Sequence, residues 1–507
     1  MPIKSALVAC AAAILAAAIY TTRLGESPIY LLHDEVKYAL QARAVAATGR
    51  DINGRLLPVY FSEPGFPAGR DPLSIYATAA LLTRLPLSQS TIRLPTAMVA
   101  VIDVLLMFFL TRRIVGRDDV AGIAAVLLAL TPAHFINGRI GVAVLYGLPF
   151  ILGWLLCLAR HLERGRLTPL VVGTVLLGAG TYSYLAAAML MPLYLLITGA
   201  VLLCRRAPVR MYACALAGFV APLVPLAWWH AQHPERYTDL MTAYRVTATA
   251  GAGASFVTLP RLSAYWYCFN PSFLFFTGDS SLTASTREAG VFLLPTAVLL
   301  VVGLYRILVH QRTPLMLSIV AGFVTAPLPA VLAGPLEVRR TLAMLPFAIV
   351  IAAVAVDGMV SAPRRRIAAG ALLLLALSVA QFTSFYRDYF GPYRVSSSYW
   401  FGGDIKQALI AAMDRTPNAR PVYLSTSIPY IDAYWQLYTR MHGRADLLNE
   451  AVYLDDAEPA GTSAPIGSLL VGPAGNDRAR LPAAAGWAKV STIAEPTGTP
   501  LFAVFQK

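Results

Sequence analysis

The sequence predicts an all-α protein that crosses a membrane about eleven times and carries a small α/β domain at its C-terminus. Three observations predict this fold class: the composition, the spacing of apolar runs and the placement of arginines. Of the 507 residues, 57% are hydrophobic and 13% are charged, and the mean hydropathy is +0.60. A soluble protein is typically about 45–50% apolar and about 25% charged. Lipid must therefore be part of the solvent for this chain.

The formal net charge of +14 does not indicate a nucleic-acid-binding protein. The basic residues are not gathered on one segment, as a nucleic-acid interface would require. They form short clusters between apolar runs, where basic residues set membrane topology.

Eleven apolar runs have about the length of a spanning helix, which needs roughly 20 apolar residues. The first run follows Lys4, and residues 20–23 lack a small-x-small cleavage pattern, so we expect an uncleaved helix rather than a signal peptide. The predicted spans are residues 5–20, 92–111, 119–135, 141–159, 168–183, 185–203, 211–230, 289–308, 314–333, 341–360 and 367–382.

Short arginine-rich loops follow every even-numbered span. Short loops rich in Lys and Arg remain in the cytoplasm, so both the N-terminus and these loops are expected inside. The odd-to-even loops are then extracytoplasmic. The arginines are Arg112, Arg113, Arg117, Arg160, Arg164, Arg166, Arg205, Arg206, Arg210, Arg306, Arg312, Arg364, Arg365 and Arg366.

The extracytoplasmic parts are unequal in length. Two long loops cover about residues 21–91 and 231–288 of a transmembrane module, 1–382. Residues 383–507 form the extracytoplasmic C-terminal domain. Its β-rich segments Pro421–Ser425, Ser468–Val471 and Leu501–Phe505 flank a predicted helix at Ile431–Met441, and this alternation indicates an α/β arrangement.

The first long loop holds candidate catalytic carboxylates. Asp34 and Glu35 precede residues whose apolar positions have helical spacing, so they fall in the first turn of a predicted surface helix. A carboxylate is favourable there. Asp34 is therefore either a capping residue or a functional acid, and both interpretations stay open.

A second predicted surface helix starts near Arg70-Asp71-Pro72, with the proline in its first turn. Arg93 marks the entry to the second span. Arg70 and Arg93 are either residues that extend to the membrane interface or ligands of an anion.

The order of these short motifs resembles the first loop of the GT-C glycosyltransferases. The motifs are Asp34-Glu35, Tyr38-Ala39, Gly49-Arg50-Asp51, Arg70-Asp71-Pro72-Leu73 and Arg93-Leu94-Pro95. The branch they resemble most contains bacterial relatives of protein O-mannosyltransferases and the lipid A aminoarabinose transferase. The similarity covers roughly the first 110 residues, and the helix count and orientation agree over about 380.

The resemblance implies an inverting glycosyltransferase with a polyprenyl-phosphate sugar as donor. By position, Asp34 would accept a proton from the acceptor hydroxyl, and Arg70, Arg339 and Arg340 would bind the donor phosphate. The acceptor would be a protein, a lipid or a glycan. No metal or other cofactor is indicated, and the implied location is the bacterial inner membrane with the active site facing the exterior.

One departure from the family pattern concerns a second acid after the third span. Residues 134–144 contain no carboxylate, so Glu35 or Asp71 takes that part, the acceptor needs no second acid, or the chain is a divergent homologue. Further candidates for substrate binding are His33, Asp71, Tyr182, Asp279 and Arg287.

Asp103 lies inside an apolar run, where an ionisable group is expensive and indicates a buried partner or a function. We expect it to form a structural hydrogen bond to a neighbouring helix. The alternative to a glycosyltransferase is a polytopic transporter or lipid-linked-sugar flippase. It would account for the many helices and Asp103, although no internal repeat of the kind common in transporters is visible.

Overall fold

The computed structural model describes residues 3–63, 66–234, 259–332, 337–416, 421–454, 464–475 and 486–507. Side chains in 62–70, 259–260 and 332 lie outside this description. The predicted loop 231–288 therefore falls partly outside the described residues. The chain forms two compact units.

The first unit comprises Met1–Thr22, Leu57–Ala77 and Leu94–Arg387, and it is built from apolar helices. Seven helical segments of the described chain are long and apolar enough to cross a membrane. They are Ile3–Thr21, Gln89–Val115, Ala143–Arg164, Leu185–Cys204, Val209–Gln232, Pro314–Val331 and Arg365–Phe390.

Four other predicted spans are shorter or interrupted in the structure. Helices Leu167–Gly180, Leu294–His310 and Met344–Val360 are apolar but have 14, 17 and 17 residues. The predicted span 119–135 divides into Asp118–Ala129 and Pro132–Asn137, because a proline disfavours the helical conformation of the residue before it, and Thr131 is extended. Each predicted span thus coincides with helix, while the count of eleven stays a prediction.

Shorter elements of this unit come from the two long loops and from connections between helices. Strands β1 (Phe61–Glu63) and β2 (Phe66–Arg70) pair antiparallel. The expected surface helix with a proline at its start is Pro72–Leu82. The remaining elements are the helices Leu259–Tyr267, Leu328–Leu332 and Val338–Thr341 and a π-helical turn at Ser272–Phe276.

The second unit comprises Arg23–Leu56, Thr78–Arg93 and Asp388–Lys507. The strands of its sheet are β3 (Val422–Ser425), β4 (Ala451–Leu454), β5 (Leu469–Pro473), β6 (Ala488–Ala494) and β7 (Pro500–Gln506). Their order in the sheet is β4-β3-β5-β7-β6. β3 pairs parallel with β4 and β5, and β7 pairs antiparallel with β5 and β6.

The helices of the second unit are His33–Thr48, Pro392–Ser396, Ile405–Asp414 and Ile431–Met441. We refer to His33–Thr48 as the loop helix and to Ile431–Met441 as the tyrosine helix. The two helices pack against each other. Val36 and Ala39 of the loop helix share one buried cluster with Trp435 of the tyrosine helix and Val422 of β3. The first long loop and the C-terminal residues therefore share a hydrophobic core.

Candidate active site

The first turn of the loop helix gives its two predicted catalytic carboxylates different environments. Glu35 is fully buried, whereas 29% of the Asp34 side chain is exposed. Helical geometry causes this difference, because consecutive residues of a helix point about 100° apart. Of the two carboxylates, Asp34 is the one that is open to solvent.

Glu35 is held by an ion pair with Arg93, which is also fully buried. The Arg93 Nε donates to Glu35 Oε1 at 2.8 Å, and Nη2 donates to Oε2 at 3.2 Å. The backbone N–H of Leu32 donates to the same Oε2 at 2.9 Å. This last contact is the return bond of a capping box, in which the third helical residue satisfies an N–H at the helix start.

The remaining donors of Arg93 bind backbone carbonyls of the segment before the loop helix. Nη1 donates to Leu24 O at 3.1 Å and to Pro28 O at 2.8 Å, and Nη2 donates to Tyr30 O at 2.7 Å. Together with the two bonds to Glu35, these contacts use all five guanidinium donors. Arg93 therefore fastens the chain that leads into the Asp34 turn.

These contacts bear on two interpretations of the sequence. Arg93 neither extends to an interface nor offers donors to an anion, because burial and five internal bonds occupy it. Glu35 is a candidate catalytic residue whose carboxylate is fully buried and paired with Arg93, and its catalytic role stays a prediction. Nothing local in the sequence separates Glu35 from Asp34 or points to Arg93.

His33 is the predicted site residue that adjoins Asp34. Its Nε2 lies 3.5 Å from Asp34 Oδ1, and 37% of its side chain is exposed. On the tyrosine helix, the Tyr434 hydroxyl donates to Leu31 O at 3.3 Å. Burial, with the nearby charges of Glu35 and Asp34, raises the pKa of Tyr434, so its hydroxyl stays protonated and able to donate.

A second group of predicted residues meets in the first unit, around Asp279. Its Oδ2 accepts from the Val338 N–H at 2.7 Å, and its Oδ1 accepts from the Ser281 N–H at 2.9 Å. The Arg339 Nη2 donates to Thr283 O at 3.1 Å. The bonds of Asp279 to Val338 and of Arg339 to Thr283 join the 279–283 turn to the helix Val338–Thr341. The two bonded pairs are 59 and 56 positions apart in the sequence.

Arginine side chains surround this turn. Arg287, at φ +65°, donates through Nε to Ser280 O at 2.9 Å, and its Nη2 contacts the same oxygen. Arg339 is half-buried, and its Nε is enclosed without a hydrogen-bond partner among the described residues. Arg340 follows in the same short helix. The structure thus brings the predicted residues Asp279, Arg287 and Arg339 to one turn.

Such a group is suited to an anion with several oxygens. Guanidinium groups match the spacing of phosphate oxygens and bind them through paired N–H donors. A donor that is enclosed without a protein acceptor is costly, and an anionic oxygen would satisfy it. The two hydrogen bonds of the Asp279 carboxylate described above come from backbone N–H groups and not from these arginines.

The other predicted site residues have separate surroundings. The Arg70 side chain lies outside the described residues. Asp71 directly precedes the helix Pro72–Leu82, and its carbonyl accepts from the Ser74 hydroxyl at 3.1 Å. The Tyr182 hydroxyl donates to Pro222 O at 2.7 Å, a contact between helical segments rather than with the Asp279 group.

The stretch that lacks a second acid serves the interior of the helix bundle. His134 and Arg139 are fully buried there. His134 Nε2 lies 3.2 Å from Asp103 Oδ2, and its Nδ1 lies 2.6 Å from the Tyr20 hydroxyl. Arg139 donates to Tyr20 O at 2.7 Å. The expected structural hydrogen bond of Asp103 to a neighbouring helix is confirmed.

Among the described residues, no three His, Cys, Asp or Glu side chains are grouped as metal ligands would be. A mechanism without a metal stays a prediction, as do the assigned roles of the site residues.

Comparison with known proteins shows which family model and which solved structures the chain is similar to. Residues 70–229 match the family model described as dolichyl-phosphate-mannose-protein mannosyltransferase. No curated protein sequence matches the chain at a significant level.

Solved structures share the fold over nearly the whole chain. ArnT from Cupriavidus metallidurans in the apo state superposes with a TM-score of 0.65 at 14% identity, covering 98% of this chain and 97% of that one. Its complex with undecaprenyl phosphate gives 0.61 at 13% identity and covers 99% and 98%. AglB, an oligosaccharyltransferase from Archaeoglobus fulgidus in complex with an inhibitory peptide and a dolichol-phosphate, gives 0.55 at 14% identity and covers 98% and 74%.

ArnT and AglB are GT-C glycosyltransferases. The chain therefore has the fold of the GT-C membrane glycosyltransferases, and the resemblance predicted from its sequence is confirmed.

Proposed function

We propose that this protein is an inverting glycosyltransferase that moves a sugar from polyprenyl phosphate to an acceptor hydroxyl. The observation that carries the proposal is the Asp34 carboxylate, which is partly exposed beside a fully buried Glu35–Arg93 pair within a GT-C fold. A reactive acid needs both access to substrate and a fixed position. Exposure gives Asp34 access to substrate, and its neighbours fix its position.

In the proposed reaction, Asp34 accepts the proton of the acceptor hydroxyl as that oxygen attacks the anomeric carbon. The new bond joins the acceptor oxygen to the sugar. The bond from the anomeric carbon to the phosphate oxygen breaks, and its electron pair leaves with the polyprenyl phosphate. Attack from the face opposite the phosphate inverts the anomeric configuration.

The leaving phosphate gains negative charge during this step, so positive groups that face it lower the barrier. We assign this role to Arg339 and Arg340, supported by Arg287. The enclosed Nε of Arg339 supports the assignment. Arg70 has the same proposed role by its position in the first loop. No metal or other cofactor is required, because guanidinium groups supply the positive charge.

The proposed location is the bacterial inner membrane, with about eleven spans and the long loops outside. The arginine-rich loops support this orientation through the positive-inside rule. The structures of ArnT with undecaprenyl phosphate and of AglB with a dolichol-phosphate support a polyprenyl-phosphate donor. In this arrangement residues 383–507 lie on the extracytoplasmic side of the membrane, and the acceptor is a protein, a lipid or a glycan.

The deciding experiment incubates the purified full-length protein with a panel of polyprenyl-phosphate sugars and quantifies the released lipid phosphate. Asp34→Asn should abolish release while leaving the thermal unfolding temperature unchanged. Glu26→Gln is the matched control, because Glu26 is an exposed carboxylate in the same unit and should release lipid phosphate like the native protein. Undiminished release by Asp34→Asn would remove Asp34 from the role of base.

The same preparation distinguishes an enzyme from a transporter or flippase. In sealed proteoliposomes, a transporter moves the lipid-linked sugar across the membrane without a covalent product, whereas an enzyme forms product with an added acceptor. Arg70→Ala should impair the use of donor far more than the use of acceptor. Equal impairment of both would argue against a phosphate contact.

A further inference from the structure

Two tyrosines of the C-terminal part of the chain hold the turn that carries Asp34. They are Tyr430, directly before the tyrosine helix, and Tyr434, one turn later. The Tyr434 hydroxyl donates to Leu31 O. The Tyr430 ring stacks on the His33 imidazole, with centroids 4.6 Å apart and planes inclined by 12°.

Lys37 meets the same ring. Its Nζ lies 4.1 Å from the centroid of Tyr430, which is a close cation–π distance. His33 and Lys37 are one helical turn apart, so they project on the same side of the loop helix. The residue before Asp34 and a residue three positions after it are therefore held by one aromatic ring.

The backbone of Tyr430 adopts a conformation that a tyrosine rarely has. Its φ is +60° and its ψ is +25°, the left-handed region that favours glycine or asparagine. The residue is 44% exposed, so burial of a core side chain does not account for the conformation. Strained residues that persist in a fold often serve a functional site. The residue with this conformation carries the ring that contacts His33 and Lys37.

His33 connects this ring to Asp34. Its Nε2 lies 3.5 Å from Asp34 Oδ1. Stacking on Tyr430 restricts rotation of the imidazole and thereby limits where that nitrogen can lie relative to the carboxylate. The Glu35–Arg93 pair fastens the backbone of this turn, whereas the Tyr430 stack acts on the side chains that flank Asp34.

We propose that Tyr430 is a positioning residue for Asp34, acting through His33 and Lys37. The inference rests on the proposed function, in which Asp34 is the base. It gives the residues beyond 388 a part in catalysis, because a tyrosine from that region adjusts the carboxylate that meets the acceptor. A base displaced by about 1 Å can lose roughly a hundredfold in rate, so loss of the stack should appear mainly in kcat.

Steady-state kinetics of full-length Tyr430 variants test this proposal. Tyr430→Ala should lower kcat by about tenfold to a hundredfold, with the KM for donor and the unfolding temperature near native values. Tyr430→Phe should retain most of the native kcat, because stacking and the cation–π contact need the ring and not the hydroxyl. Tyr399→Ala is the matched control, since this exposed tyrosine belongs to the same unit; its kcat should be native.

A double variant tests whether Tyr430 acts through His33. Residues that act as one unit have non-additive effects. His33→Ala combined with Tyr430→Ala should therefore lose about as much kcat as the more impaired single variant. Losses that multiply would overturn the route through His33.

Three further results would overturn the proposal. Native kcat in Tyr430→Ala would do so, as would a loss confined to donor KM, or a Phe variant as impaired as the Ala variant. The proposed function fails separately. If Asp34→Asn remains active, the role of base is wrong whatever Tyr430 does; if Asp34→Asn is inactive while Tyr430→Ala is native, only the positioning role is wrong.

Discussion

The Arg93 Nε lies 2.8 Å from Glu35 Oε1, and neither side chain is exposed to solvent. The two residues are 58 positions apart in the sequence. Their pairing ties the loop helix to the start of helix Gln89–Val115 and leaves Asp34 as the accessible carboxylate of the Asp34-Glu35 motif. A buried ion pair of this kind contributes little net stability as a pair but makes the loss of either partner costly.

Arg93→Ala should lower the free energy of unfolding by about 3–5 kcal/mol, because it leaves the Glu35 carboxylate buried and unpaired. Thermal unfolding of the purified protein in detergent provides the measurement. Glu26→Gln is the control, since the exposed Arg23–Glu26 pair should contribute less than about 1 kcal/mol. Arg93→Met combined with Glu35→Leu should be less damaging than Arg93→Ala. Native stability of Arg93→Ala would contradict the inferred role of the pair.

Arg339→Ala should raise the KM for donor by about tenfold to a hundredfold, as loss of a hydrogen bond to a charged group predicts. Arg339→Lys should recover part of this loss, because lysine keeps the charge but not the paired donors. The measurement is lipid-phosphate release at varied donor concentration. Arg312→Ala is a control, because Arg312 lies in a loop predicted to be cytoplasmic. A larger effect on the KM for acceptor than on that for donor would speak against phosphate binding.

Asp279→Ala should impair donor use like Arg339→Ala, because it removes the acceptor that joins Val338 to the 279–283 turn. Asp279→Asn should be milder, since its amide oxygen still accepts one backbone N–H. The double variant Asp279→Ala, Arg339→Ala should lose less than the product of the single losses. Donor titrations of the native protein, the two single Ala variants and the double variant supply the test. Strictly multiplicative losses would show that the two residues act independently.

Two aspartates of the second unit should affect stability with opposite dependence on pH. Burial raises the pKa of Asp404, so its ionisation opposes folding as pH rises above the unfolded value of about 3.9. The hydrogen bond from Arg444 lowers the pKa of Asp446, so its ionised form favours folding, and this contribution disappears as pH falls below about 3.9.

Asp404→Asn should accordingly gain stability relative to the native protein between about pH 4 and pH 7. Asp446→Asn should be less stable than the native protein at neutral pH, with the deficit shrinking in acid. Unfolding temperatures over this range, measured for both variants side by side, provide the comparison. Parallel curves for the two variants would refute the opposite signs.

His134→Ala should destabilise the helix bundle by about 1–3 kcal/mol, because it removes the partner of the buried Asp103 carboxylate. Asp103→Asn should be milder, since the amide can still hydrogen-bond to His134. Unfolding temperatures in detergent distinguish the variants. If Asp103→Asn were the more damaging of the two, the charge of Asp103 rather than its hydrogen bond would be important.

Much of the helical framework could be predicted because its signals are local. Each of these patterns predicts the structure of its own segment. The patterns are the apolar runs, the proline before Leu73 and the alternation in residues 421–505. The helices Ile3–Thr21, Pro72–Leu82 and Ile431–Met441 lie where these patterns indicated. Boundaries were less predictable, because Pro95 lies within a continuous helix whereas Pro132 begins a new one.

The candidate site was only partly predictable. Asp34, Arg339 and Asp279 could be selected by residue type and position, but Asp34 and Glu35 could not be told apart. Burial distinguishes them, and burial depends on Arg93, 58 positions away. Nothing in the sequence indicated Tyr430, because no local pattern links it to His33.

By itself, the sequence determined that the protein resides in a membrane and that short arginine-rich loops and candidate acids lie between its apolar runs. These properties follow from composition and from the spacing of neighbours along the chain. Only the tertiary structure decided which carboxylate is sequestered and which residues hold the other. Those contacts, such as Tyr434 with Leu31 across 403 positions, depend on hydrogen-bond geometry and on exclusion of water, which arise only when distant segments pack together.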